Sequence, residues 1–134
     1  MLEELILLYP NNPTLNNFTQ TLIDISTNEQ KKDWFLRLDP NGRIPVLVDK
    51  TKNPPFTVME TSAELLYLLK EYDERDELGF KDELERNMAL QWLFFWHGSG
   101  APYQVRLYPI LVPPHLPPLS TASLSFSTIR KKKK

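Results

Sequence analysis

The sequence predicts an α/β domain, then one helix opening an all-helical region, then a tail of different character. Three observations predict it. Between residues 21 and 72, β-branched runs alternate with segments of helical apolar period. From Lys81 to His97, apolar residues recur at helical spacing only. From Leu107 to Ile129 no residue carries a formal charge, with His115 taken as neutral, and neither period persists.

The elements follow in chain order. Residues 1–20 read as an irregular segment. Leu2, Leu5, Ile6 and Leu8 with Glu3 and Glu4 suit the end of an amphipathic helix or a short strand, and Pro10 to Asn17 is rich in turn formers. Thr21–Ile25 is a β-branched strand candidate. Ser26 or Thr27 can cap a helix over Glu29–Leu38, with Trp34, Phe35 and Leu38 on one face, and Asp39-Pro-Asn-Gly42 stops it. Ile44–Asp49 and Phe56–Met59 read as an antiparallel hairpin. Thr61-Ser-Ala-Glu64 is a capping-box sequence opening a helix to Tyr72, with Leu65, Leu66, Leu68 and Leu69 as its apolar face. After the charged connector Glu71–Glu77, Leu84, Met88, Trp92 and Phe95 mark a last helix that Gly98-Ser-Gly100 ends. The domain boundaries are therefore 21–75 for the α/β part, 78–103 for the start of the helical part and 104–134 for a structureless tail.

Composition narrows the chemistry. The 134 residues amount to one domain's worth of chain. Cysteine is absent, which removes disulfides, thiolate metal ligation and a protein thiol nucleophile. With two histidines, no metal site is expected. The net charge of −1 hides an asymmetry, because Arg130–Lys134 supplies five of sixteen basic groups. Without those five, 11 basic groups face 17 acidic ones, a net of −6 that disfavours nucleic acid as the main partner. No apolar run approaches the ~20 residues of a membrane span, and the acidic start is unlike a signal peptide, so a cytoplasmic protein is the expectation.

The block from Trp34 through Asn41-Gly-Arg-Ile-Pro45 to Asp49, followed by Met59-Glu-Thr-Ser-Ala-Glu-Leu-Leu-Tyr-Leu-Leu-Lys-Glu-Tyr72, resembles the glutathione-binding half of a cytosolic glutathione S-transferase. Its flavour is that of the fungal transferases related to the nitrogen-regulatory prion protein. Leu78-Gly-Phe-Lys and Gln91-Trp-Leu-Phe-Phe-Trp-His-Gly-Ser-Gly-Ala-Pro-Tyr103 are similar to the first helix of that family's second domain. The resemblance implies a thioredoxin-like fold, glutathione as co-substrate and no metal. It implies a cis Ile44–Pro45 bond whose backbone pairs with the cysteinyl part of glutathione. It implies that Glu60 and Thr61, at a helix N-terminus, hold the γ-glutamyl end, and that Gln30 lies near the glycyl end. Taken singly, Pro45 also suits an ordinary edge strand and Thr61–Glu64 a plain helix cap. Arg43 reads as a solvated turn residue, and Trp34, Trp92, Phe94, Phe95 and Trp96 as core.

Family members open with a strand, a turn carrying the catalytic hydroxyl or amide, and a helix. Here Leu2-Glu-Glu-Leu5-Ile-Leu-Leu-Tyr-Pro10 reads as the end of that helix, so the chain reads as cut at both ends and no catalytic residue is assigned. An alternative makes Leu5–Tyr9 the first strand, with Asn11, Asn12 or Thr14 facing the sulfur. The expected function is glutathione binding and conjugation of its thiolate to electrophilic small molecules. The alternatives are a non-catalytic regulatory or interaction module, or a non-functional fragment. The implied homodimer is weakened by the shortened helical part, and an unpaired sheet edge is expected where the first strand would lie.

Overall fold

The computed structural model describes residues 1–111 and 125–129. The chain divides into two compact units, residues 1–74 with the C-terminal strand, and a helical unit beginning at Arg75. The basic ending Arg130–Lys134 and residues 112–124 lie outside the described residues.

The first unit begins with a helix, α1, over Leu2–Leu8, with Glu3 and Glu4 in its first turn and Leu5 fully buried. Leu5–Tyr9 is thus not a strand, because apolar residues at positions 2, 5 and 8 give a single buried face only when wound as a helix. A turn anchored by Asn12, whose Oδ1 accepts from the Thr14 and Leu15 N–H groups at 2.9 and 3.1 Å, leads into strand β1, Phe18–Leu22. That strand starts three residues before the sequence reading places it. Asp24 caps a 3-10 turn at Ile25–Thr27 through the Ser26 N–H, 2.9 Å away, so Ser26 and Thr27 sit within the turn instead of capping a helix. The expected helix over 29–38 is broken into a 3-10 turn, Glu29–Lys31, and a short helix α2, Asp33–Leu36. Extended backbone at Lys32 separates the two.

Strands β2, Val46–Asp49, and β3, Phe56–Met59, form the expected antiparallel pair, from Val46↔Met59 to Asp49↔Phe56. Helix α3 follows at Thr61–Tyr72. Ile23, Phe35, Val46 and Val48 form a buried core cluster, with Leu38 and Ile44 packed against it. All four residues of β2 are buried, which suits an interior strand.

The sheet holds a fourth strand, β4, Ser125–Ile129, and its order is β1-β4-β2-β3. Strand β4 runs antiparallel to β1, from Phe18↔Ile129 to Leu22↔Ser125, and parallel to β2, from Leu47↔Ser127 to Asp49↔Ile129. The expected structureless tail over 104–134 is thus corrected at residues 125–129, which form this strand, and the expected unpaired sheet edge is filled by it. Residues 125–129 contain neither proline nor charge, so their backbone can pair on both sides, and Phe126, Thr128 and Ile129 favour extended structure.

In the helical unit, α4 spans Glu83–Phe95 and is capped by Asp82, whose carboxylate accepts from Leu84 and Glu85 N–H at 2.9 and 3.0 Å. The helix does not end at Gly98-Ser-Gly100. It widens into a π turn over Trp96–Gly100 and continues as α5, Ala101–Leu111. Pro102 follows directly, and a widened turn accommodates a residue that has no N–H to donate. Trp92, Phe94, Phe95 and Trp96, expected as core, are all more than half exposed. Trp34 packs edge-on against the buried Phe35 with ring centres 5.5 Å apart, at the margin of the core.

Candidate functional site

The turn before β2 is built by one carboxylate. Asp39 is buried, and its two oxygens accept from the Asn41 and Arg43 N–H groups, each at 2.8 Å. Gly42 sits at φ 61°, and a Cβ there would lie 2.8 Å from the Gln30 carbonyl oxygen and 2.9 Å from Leu36 Cδ2. Only glycine fits both the conformation and the space. The turn delivers Ile44 and Pro45, joined by a cis peptide bond, to the start of β2. Both are half-buried. A second cis bond, Asn53–Pro54, lies in the hairpin loop, and no sequence signal singled it out.

Register brings the other end of the site to this one. Because Val46 pairs with Met59, the residues just before Val46 and just after Met59 leave the sheet at the same end. Ile44–Pro45 and Glu60–Thr61 are therefore neighbours across the hairpin. Glu60 caps α3 with φ 71° and ψ 119°, a conformation that non-glycine residues seldom adopt and that clusters at ligand sites. Glu60 and Thr61 are exposed. The predicted capping box is not made. The helix begins at Thr61 itself, so Thr61 is its first residue instead of its cap, and the Glu60 side chain makes no cap hydrogen bond. The N–H groups of that first turn and the positive end of the helix dipole point outward from it.

Glu64, one turn further on, has a buried Oε1 without a hydrogen-bond partner. Burial, and then the neighbouring Glu60 charge, push its carboxyl up to about 7. Gln30 approaches from the other side. It lies in the 3-10 turn whose Lys31 Nζ donates to the Asn41 carbonyl at 2.8 Å, and the Gln30 Oε1 is buried and unpartnered too. Four of the five predicted site residues, Ile44, Pro45, Glu60 and Thr61, thus gather at one sheet end, and Gln30 abuts the turn that leads into them.

Sequence reasoning missed the support beneath. Asp49, fully buried at the far end of β2, accepts from Thr51 N–H at 2.8 Å, Tyr67 Oη at 2.7 Å and Tyr72 Oη at 2.8 Å. Burial opposes its charge, but these hydrogen bonds outweigh burial and hold the carboxyl below the ordinary value. Burial first, and then the bond to Asp49, push both tyrosines well above the phenol range. The cluster bolts α3 to β2 and so fixes the helix end against the Ile44–Pro45 turn. A buried acid flanked by two tyrosines on the next helix was the available signal.

Asn12, one of the residues weighed as a sulfur-facing donor, spends its oxygen on its own turn, and Asn16 Nδ2 donates to the Pro10 carbonyl at 2.6 Å. The site as a whole offers backbone groups at the Ile44–Pro45 bend that opens β2, helix N–H groups at Thr61 and a carboxylate at Glu60. Recognisers for an anion and a cation, one residue apart, suit a zwitterionic amino-acid end joined to an extended peptide.

Residues 15–71 match the family model described as "Glutathione S-transferase, N-terminal domain". Glutathione S-transferase 1 of Schizosaccharomyces pombe is 39% identical over 74 residues, covering 54% of this chain and 32% of that protein. Protein URE2 of Debaryomyces hansenii is 32% identical over 88 residues, covering 63% of this chain and 28% of the other. Among solved structures, glutathione transferase URE2P6 of Phanerochaete chrysosporium, in complex with oxidised glutathione, superposes with a TM-score of 0.58 at 32% identity, over 71% of this chain and 44% of that one. The chain spans about a third of the length of the curated relatives it matches first.

Proposed function

Because this chain belongs to the glutathione S-transferase family, related to the Ure2 proteins, and carries that family's thioredoxin-like N-terminal domain, we propose that it binds glutathione at the sheet end shared by Ile44–Pro45 and Glu60–Thr61. The single observation that supports this most is the hairpin register, Val46↔Met59, which sets the two segments side by side. In this reading the γ-glutamyl carboxylate lies against the first turn of α3 and the Thr61 hydroxyl. The γ-glutamyl ammonium faces the Glu60 carboxylate. The cysteinyl backbone pairs with Ile44 as an added strand, and Gln30 reaches the glycyl end. The bound complex of URE2P6 supports glutathione as the ligand class.

The reaction that follows from this reading is conjugation. The glutathione sulfur, as thiolate, forms a bond to an electrophilic carbon, and the leaving group departs with the electron pair of the bond it gives up. A bound thiol near its free pKa is only a few per cent ionised at pH 7, so rate depends on a group that donates to the sulfur. No residue of this chain is assigned that role. Binding is therefore the primary proposal and conjugation its extension, with a cytoplasmic setting and a small-molecule electrophile as expected context.

Calorimetric titration of the full chain with reduced glutathione tests it, with Glu60→Ala beside it. Saturable binding that the substitution weakens tenfold or more is expected. Absence of heat in a sample that unfolds cooperatively, or equal binding by both forms, overturns the reading. Conjugation of an aryl halide, followed by absorbance, then decides whether the bound thiol reacts.

A further inference from the structure

We propose that the slot between β1 and β2 is a strand-acceptor site, that residues 125–129 occupy it as a self-supplied donor strand, and that it takes the same extended segment from outside when its own strand is disabled.

The topology carries the argument. Among the described residues β1 pairs with β4 alone, and β2 pairs with β3 on one side and β4 on the other. Neighbouring strands stand about 4.8 Å apart, so β1 and β2, with a strand between them, are roughly 10 Å apart and share no hydrogen bond. Removing β4 leaves β1 with no sheet partner and turns the fully buried strand β2 into an open edge. An interior slot flanked on both sides by unpaired N–H and C=O groups can pair an extended segment along both of its edges.

Direction distinguishes this occupant from a strand supplied by the neighbouring chain sequence. A strand joined to β1 through a helix would run parallel to β1, as strand–helix–strand connections require. Strand β4 is antiparallel to β1 and arrives from more than a hundred residues away. Its pairing is a docking event between distant parts of the chain, equivalent in kind to strand addition by a peptide. The donor has the required chemistry: Ser125–Ile129 holds no proline, glycine or charge, and the sequence continues with five basic residues that discourage stacking of copies. The contact also reaches the site. Strand β4 pairs with Leu47, Val48 and Asp49, the strand that Ile44–Pro45 opens and the carboxylate that anchors α3.

The test uses the full chain with Ser127→Pro, which removes a ladder N–H from the middle of β4, and a fluorescent peptide of residues 122–130. Saturable peptide binding by this variant, at least tenfold tighter than by the unmodified chain, is expected, since the intact chain fills the slot at high effective concentration. Equal binding to both, or none to a variant that still unfolds cooperatively, overturns the proposal. Should Ser127→Pro fail to fold, Gln20→Cys with Ser127→Cys decides, because the pair is in register and the chain has no other cysteine. A disulfide within one chain supports the proposal. No disulfide overturns it, as does a linked dimer or equal linking of the one-residue-shifted pair Thr19→Cys with Ser127→Cys.

Discussion

The Tyr72 hydroxyl donates to the Asp49 carboxylate across 2.8 Å in the interior, joining the last turn of α3 to the end of β2. Tyr67, a turn earlier, donates to the same oxygen, and the Thr51 N–H takes the other. Asp49→Ala would leave two hydroxyls and an N–H without their acceptor. At about 1–3 kcal/mol per unsatisfied buried group, partly relieved by water, a loss of about 3 kcal/mol is expected in urea unfolding. The pH dependence has a definite sign. The folded carboxyl lies below its ordinary value, so its contribution is full above about pH 4 and is lost as pH falls through the lower folded value. Stability of the unmodified chain therefore drops on acidification below pH 4, and Asp49→Asn flattens that drop.

Glu64 works in the opposite sense. Its carboxyl is pushed up to about 7, first by burial and then by Glu60. A raised carboxyl value means that the protonated form suits the fold, so its favourable share is full below about pH 4.5 and is lost as pH rises to about 7. Glu64→Gln is expected to leave stability unchanged near pH 4 and to raise it at pH 8, where the unmodified chain must bury a charge. Thermal unfolding of both forms at the two pH values checks this, and equal shifts at both would contradict it.

Gly42 holds the turn that leads to Ile44–Pro45 in a left-handed conformation, with backbone oxygen and Leu36 already where a Cβ would go. Gly42→Ala is expected to cost about 1–3 kcal/mol, because the nearest obstacle is the Gln30 carbonyl, which cannot rotate away as a side chain could. The strain falls on Gln30 and Leu36, and on the turn that leads to Ile44–Pro45. Glutathione binding in the folded fraction should weaken along with stability, and a calorimetric titration beside a urea curve separates the two losses.

What was legible in the sequence was local. Asp39-Pro-Asn-Gly42 reads as a turn because each residue bonds or bends within five positions. The hairpin and α3 are legible because their periods repeat within a dozen residues. The capping box misled, since Glu60 takes the cap at a positive φ that no propensity favours. The glycines at 98 and 100 did not stop α4, because a π turn carries the helix through them. Strand β4 was illegible for a different reason. Its partners are β1 and β2, far away in sequence, and an uncharged segment without period looks the same whether it finds a slot or not. The site residues were found through family likeness and the Asp49 cluster was not, because its bonds cross 18 and 23 positions.

Tyr9 donates its hydroxyl to the buried carboxylate of Asp73, just beyond the end of α3. With the buried Leu5 side chain, this bond ties α1 to the rest of the unit. Tyr9→Phe keeps the ring and removes only the donor, so its cost is that of one hydrogen bond to a charged acceptor, about 1.5–3 kcal/mol. The loss should be local. Seven residues of helix cannot hold themselves together in water, so α1 opens by itself once its tether weakens, while β2 and β3 keep their ladder. Hydrogen exchange is expected to speed by roughly ten- to a hundredfold at the α1 amides and to stay unchanged at Leu47 and Val58. Matching acceleration at all of these positions would mean instead that α1 opens only when the whole sheet unfolds.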